Sequence, residues 1–369
     1  MEGTFVDDQV KKIATKAYGA SGNFIGGKTL ELMTIERNQP QSDEVLIEIL
    51  YCGICHSDIH QVNNDWNNTI YPCVPGHEII GKVIQKGAGV QNFALNAIVG
   101  VGCMIDSCQN CKSCTTGEEQ FCLGPVGPTM TYNGYFKPDG TEFNTFGGFS
   151  THIVVQESFL LSIPTELEIS RAAPIVCAGV TTYSPLKHWG VKVGDEVGII
   201  GIGGLGHMGV MIAKAMGAQV TAITTSEDKR EAALLLGADE VLLSEDLDAM
   251  KAKESSFDFL LCTIPDSFDI NPFISLLSPR GTIVTVGLLG PYKSATNNME
   301  VAKFGRSVAG SLIGGIAETQ EVLEFCATHN ILPHVEMITI QDVNNAFDLI
   351  KNQDIRFRYV VDMKSLQQE

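Results

Sequence analysis

No stretch of this 369-residue chain approaches the ~18 consecutive apolar residues of a membrane-spanning helix, so the sequence is read without a bilayer. Basic residues are scarce. Against 43 acids stand 25 lysines and arginines, a net charge of −18 that repels a phosphate backbone and removes nucleic acid from the expected partners. A phosphate-bearing small molecule is a different case, because a local nest of backbone donors and one or two bases outweighs a distant field. Residues 1–12 mix acids and bases with no apolar run, so no secretory segment is read there and a reducing, cytoplasmic setting is expected. Internal repeats and low-complexity linkers are also missing. With 44% hydrophobic and 18% charged residues the balance is globular, and the length accommodates about two domains of ~150 residues.

What is present is cysteine in an unusual pattern. Cys108, Cys111, Cys114 and Cys122 form a Cys-x2-Cys-x2-Cys-x7-Cys run. In a reducing compartment crowded thiols are more often metal ligands than bridges, and thiolates two residues apart bend around one tetrahedral zinc without straining the loop. A closed structural zinc site is expected there. Cys52, Cys73, Cys103, Cys262 and Cys326 sit beside apolar neighbours and read as small buried hydrophobes.

Up to about residue 163 the chain shows short β-rich runs at 44–50, 99–103, 150–155 and 159–163, separated by glycine and asparagine, the pattern of an antiparallel or barrel-like domain. From residue 170 the character changes. Apolar, β-branched runs at 196–200, 220–224, 240–243, 257–262 and 282–287 alternate with helical patterns, as a parallel sheet covered on both faces requires. A doubly wound domain is therefore expected over 167–310. Amphipathic helices at 318–329 and 340–351 and a strand at 358–361 then return to the first domain.

The run 197–200 leads directly into Gly201-Ile202-Gly203-Gly204-Leu205-Gly206, then a helical stretch and a second strand at Val220. In that context the glycines allow a tight turn and bring helix N-terminal amides against a pyrophosphate. An acidic residue at the end of the second strand would grip a ribose 2′-hydroxyl; this chain has Thr224, Thr225, Ser226 and, after Glu227 and Asp228, Lys229 and Arg230. Hydroxyls plus the base Lys229 hold a phosphate, so NADP(H) is expected over NAD(H), provided Glu227 and Asp228 do not turn inward.

Tyr51-Cys-Gly-Ile-Cys-His-Ser-Asp-Ile-His60 and Pro75-Gly-His-Glu78 put a thiol, imidazoles and carboxylates in one stretch. With the four-cysteine run, the glycine loop ending in His207, Cys177-Ala-Gly-Val-Thr-Thr-Tyr-Ser-Pro185 and Ala309-Gly-Ser-Leu-Ile-Gly314, the chain resembles the zinc-dependent medium-chain dehydrogenase/reductase family over nearly its whole length, and within it the cinnamyl-alcohol-dehydrogenase-like, NADP-dependent aldehyde reductases. The resemblance implies an α/β fold: a GroES-like β-rich catalytic domain over 1–166, completed by 311–369, plus a Rossmann doubly wound parallel-sheet domain over 167–310. It also implies a catalytic zinc on Cys55, His77 and Cys177 with Glu78 as an exchangeable ligand, hence two zincs per subunit. Two thiolates and one imidazole leave a fourth position open, which is what separates a catalytic from a structural zinc. Asp58 would orient the ligand histidine. Ser57 and His60 match the family's proton relay, which suits imidazole because it exchanges protons near neutral pH.

The resemblance further implies reversible reduction of aromatic and medium-chain aldehydes to primary alcohols by NADPH, and a homodimer paired near 308–313. His56 is read as structural, His207 as packing near the cofactor, and Trp66 as resembling a substrate-pocket aromatic. One departure stands out: Asn96-Ala97 occupies the place of the family's Gly-Asp before the 98–101 strand. Two other readings remain, a reductase of activated double bonds and a cofactor-binding protein without turnover.

Overall fold

The computed structural model describes residues 12–22, 30–137, 140–287, 290–352 and 358–368. Residues 1–11, on which the reading of the opening segment rests, lie outside them.

Six parallel strands form one sheet. Glu196–Ile200, Gln219–Thr224, Glu240–Leu243, Phe257–Cys262, Leu277–Thr285 and Ser307–Gly310 are ordered third, second, first, fourth, fifth, sixth. Helices cover both faces, so the strands read as nearly unbroken apolar runs: Val197, Gly198, Ile199 and Ile200 are all buried. Strand order reverses between Glu196–Ile200 and Phe257–Cys262, which opens a crevice at their carboxyl ends, the usual ligand position in such a sheet.

The other half is a seven-stranded sheet. Glu44–Gly53 is its spine, paired antiparallel with Glu78–Lys86, His152–Gln156 and Arg358–Asp362; the last strand is paired in parallel with Val335–Thr339. The polypeptide therefore leaves this half for the parallel sheet and returns to it. Helix Val343–Lys351 shows why it returns: Val343, Ala346, Phe347 and Ile350, spaced on one helical face, are buried in the same core as Ile47, Ile49 and Val361. Asn96 takes φ +68°, a left-handed conformation asparagine tolerates, and its N–H donates to Val83 O at 2.8 Å. The tight turn survives the loss of the family's glycine.

Candidate active site

Asp58 organises the centre of the β-rich half. Helix His56–Val62 starts at Cys55, whose backbone N–H donates to Asp58 Oδ2 at 2.8 Å. The other oxygen, Oδ1, accepts from Gly76 N–H at 2.9 Å and lies 3.0 Å from His77 Nδ1. A fully buried carboxylate is tolerable only with such partners. Asp58 accepts from His77 Nδ1–H, which aims Nε2 at Cys177 Sγ, 3.2 Å away and 100 residues along the chain.

Cys55 Sγ, His77, a Glu78 carboxylate oxygen and Cys177 Sγ all lie within 4.8 Å of one another, and all four residues are buried. The Cys177 thiol shifts Cys55 well below the usual thiol range, with Arg358 and His77 adding to that, while Cys177 itself is held well above it. The pocket thus stabilises one sulfur charge with its own groups. Burial pushes Glu78 up to about 7 although the Arg358 guanidinium, 3.3 Å from Oε1, pulls the other way, so desolvation outweighs that contact. Glu78 Oε2 has no hydrogen-bond donor among the described residues. Two sulfurs, one ring nitrogen and an under-satisfied buried carboxylate are a donor set that fits zinc.

Cys108, Cys111, Cys114 and Cys122 also gather within 4.8 Å, with Cys111 and Cys114 sulfurs 3.5 Å apart. Leu123 and Gly124 N–H groups point at Cys111 and Cys122 sulfurs at 3.2 and 3.3 Å, as thiolates require. All eleven cysteines are unbridged. This set, too, fits a tetrahedral zinc, with no acceptor left for an open position.

Ser57 Oγ lies 3.7 Å from Cys55 Sγ at the edge of the first cluster. One helical turn on, His60 Nδ1 is 2.8 Å from Asp65 Oδ2, and its ring lies between those of His56 and Trp66, at 4.9 and 5.5 Å. His207 is fully buried and lies outside both thiol clusters; burial, aided by Arg358, lowers it to about 3, so it is neutral.

Facing this centre is the glycine loop. Gly201 has φ +87°, and a Cβ on Gly206 would lie 1.9 Å from Gly201 O, so both places admit only glycine. Gly203 borders open space, while a Cβ on Gly204 would meet the Arg358 guanidinium at 3.1 Å. Leu205 is half-buried and packs on the cluster of Cys55, Cys103 and Cys177. Beyond the second strand, Thr224 is buried, Ser226 half-buried, Thr225 exposed, and Lys229 is lowered by burial. Glu227, exposed, pairs with Arg230, Nη2 to Oε2 at 3.0 Å. Asp228 is exposed on a cleft of about 460 Å³ that runs to Arg171 and Arg358.

Sequence reasoning did not assign three features to this site. Arg358, from the returning strand, bonds Ile54 O at 2.9 Å and reaches Gly204 O at 3.5 Å as well as Glu78, so one buried side chain touches both halves. Cys103, a buried hydrophobe as its neighbours imply, packs against Cys55 and Cys177. Met130 and Ile313, both half-buried, cover the same cluster.

The alcohol dehydrogenase GroES-like domain model matches residues 41–165, and the zinc-binding dehydrogenase model matches residues 204–328. The aldehyde reductase YahK of Escherichia coli strain K12 is 47% identical over 350 residues, covering 94% of this chain and 98% of that protein. Among solved structures, a cinnamyl alcohol dehydrogenase (SbCAD4) of Sorghum bicolor aligns with TM-score 0.90 at 36% identity, covering 95% of this chain and 98% of that one. The CAD from Helicobacter pylori complexed with NADP(H) aligns with TM-score 0.87 at 37% identity, covering 96% and 99%. The fold is that of a GroES-like domain joined to a Rossmann-type parallel-sheet domain. The chain belongs to the zinc-dependent medium-chain dehydrogenase/reductase family and is similar to its aldehyde reductases and cinnamyl alcohol dehydrogenases: an oxidoreductase of alcohols and aldehydes.

Proposed function

We propose that the protein reversibly reduces aromatic and medium-chain aldehydes to primary alcohols with NADPH, at a catalytic zinc held by Cys55, His77 and Cys177 with Glu78 as exchangeable ligand. The observation that carries this reading is the buried cluster of two thiols, one imidazole and one carboxylate beside a glycine loop at the sheet's crevice. Zinc held by these residues would supply Lewis-acid polarisation of a carbonyl oxygen, and a bound reduced nicotinamide would supply hydride.

The chain's own groups do the rest. Asp58 holds the His77 ring in the ligating orientation. Ser57, at the cluster's edge, gives the proton that the product oxygen needs, and His60, steadied by Asp65, resupplies it. Leu205, Met130 and Ile313 exclude water from the reacting atoms. Gly203 leaves open backbone room for the pyrophosphate, Gly204 and Gly206 let the loop close against Arg358 and Gly201, and Thr224, Thr225, Ser226 and Lys229 receive the 2′-phosphate, since Glu227 is occupied with Arg230. The four cysteines 108, 111, 114 and 122 hold a second, structural zinc. Residues 1–166 with 311–369 form the catalytic domain and 167–310 the cofactor domain, and the protein works as a homodimer in the cytoplasm.

Metal analysis with a product assay tests this. Two zincs per chain and NADPH-dependent conversion of an enal to its allylic alcohol are expected. A saturated aldehyde as product would transfer the protein to the double-bond reductases, and absence of turnover with both metals bound would make it a cofactor-binding protein only.

A further inference from the structure

We propose that the four-cysteine lobe fixes the substrate wall beside the reaction centre, and that Glu119 is the positioning residue through which it does so. The proposal rests on the aldehyde-reductase reading for the meaning of that wall. Ile313 carries the first observation. It has φ +40°, a left-handed conformation that is a true outlier for a β-branched residue, and its side chain lies against Cys55, Cys103 and Cys177. Such a conformation persists only where the surroundings over-determine it, and such places gather at ligand clamps.

The surroundings are the lobe. Two residues after Ile313, Gly315 is pressed so closely on the lobe's backbone that a Cβ would lie 1.9 Å from Gly117 O and 2.7 Å from Glu119 Oε2. The next N–H, of Ile316, donates to Glu119 Oε2 at 3.0 Å, a bond between residues 197 apart in sequence. Helix Ile316–Thr328 has glycine at its N-cap and therefore no side-chain acceptor of its own. Its first N–H is met by a carboxylate from the lobe, which adds to the helix's own Glu318 at the positive end. Glu119 opens the short turn Glu119–Phe121 that delivers Cys122, so its place follows that of the cysteine cluster. On the other side, a Cβ on Gly314 would meet Val180 Cγ2 at 2.4 Å, three residues after Cys177. The segment 313–316 is thus clamped between the lobe and the helix that carries a candidate ligand, and the one residue left facing the cluster is Ile313.

Glu119 itself touches no reacting atom. Its effect falls on substrates bulky enough to meet Ile313 and spares small ones. The test compares benzaldehyde with acetaldehyde in the zinc-loaded full chain. Glu119→Ala should lower the benzaldehyde to acetaldehyde ratio of kcat/KM by about fivefold or more, chiefly through KM, with NADPH affinity and zinc content unchanged. Glu119→Gln, which keeps an accepting oxygen, should restore most of the ratio. Gly315→Ala leaves the lobe's chemistry intact but forces the backbones apart, and should shift the ratio in the same direction, as should Ile313→Ala. In Glu119→Ala, amide exchange over residues 311–316 should speed up about tenfold.

An unchanged ratio in both Glu119→Ala and Gly315→Ala, or unchanged exchange over 311–316, overturns the proposal. A wild-type chain inert toward both aldehydes defeats the aldehyde-reductase reading instead, and the exchange measurement still decides whether the lobe holds the segment.

Discussion

Thr224 ends its strand buried, with its hydroxyl accepting from Ser226 N–H at 3.3 Å, at the place where a carboxylate would select the unphosphorylated ribose. Placing a carboxylate there adds like-charge repulsion toward a 2′-phosphate and an acceptor for a 2′-hydroxyl, so both effects favour NADH. Thr224→Asp should move the NADPH to NADH ratio of kcat/KM toward NADH by about tenfold or more, which is ~1.4 kcal/mol of discrimination. Steady-state rates with both reduced nicotinamides measure it, and an unmoved ratio would take Thr224 out of the cofactor site. Of the neighbouring acids, Glu227 is engaged with Arg230, while Asp228 lines the adjoining cleft. At the reaction centre burial dominates in the same way. It raises Glu78 to about 7 against the pull of Arg358, so removing Glu78 would leave the buried Arg358 guanidinium without its carboxylate, at a cost of about 3–5 kcal/mol, whereas removing Arg358 would let Glu78 take up a proton.

Helices Ala178–His188 and Ile316–Thr328 are tied together by Glu321, which accepts from Tyr183 Oη at 2.8 Å and pairs with Lys187. Burial pushes the Glu321 carboxyl up, but Lys187 and Tyr183 outweigh it and hold it below the usual range. A depressed folded pKa contributes stability above the unfolded value, ~4.3, and loses it as pH falls through the folded one. Glu321→Gln should therefore flatten the loss of stability below about pH 4, seen as a smaller shift in Tm between pH 5 and pH 3 than in wild type.

The strands of the parallel sheet were legible in the sequence because burial on both faces leaves continuous β-branched runs, as at 196–200 and 257–262. The stretch 308–313, expected to pair subunits, is a strand only as far as Gly310, and Ile313 beyond it lies in the left-handed region. Cys55, His77, Glu78 and Cys177 stood out through local motifs, and they lie together. Arg358 and Glu119 did not, because their partners lie 304 and 197 residues away and nothing local marks either one.

At the scale of the molecule, strand Ser307–Gly310 is paired on one side only among the described residues, with Leu277–Thr285, and Val308 and Ala309 are half-buried. An open, uncharged edge of this kind invites a second sheet. Pairing about a two-fold axis would bring the two edges together antiparallel, and light scattering at micromolar concentration should return twice the 39.8 kDa chain mass. A monomer mass would remove the homodimer.

The pairing of Arg358–Asp362 with Glu44–Gly53 has a consequence for how the chain reaches this state. A nascent polypeptide emerging from the ribosome can complete the parallel sheet from local crossovers while its earlier half still waits, the spine's Tyr51–Gly53 end lacking its last partner and Glu78 without its counter-ion. Until the late strand is translated and slots home, the β-rich half that holds both cysteine clusters is the part left to chaperone shelter.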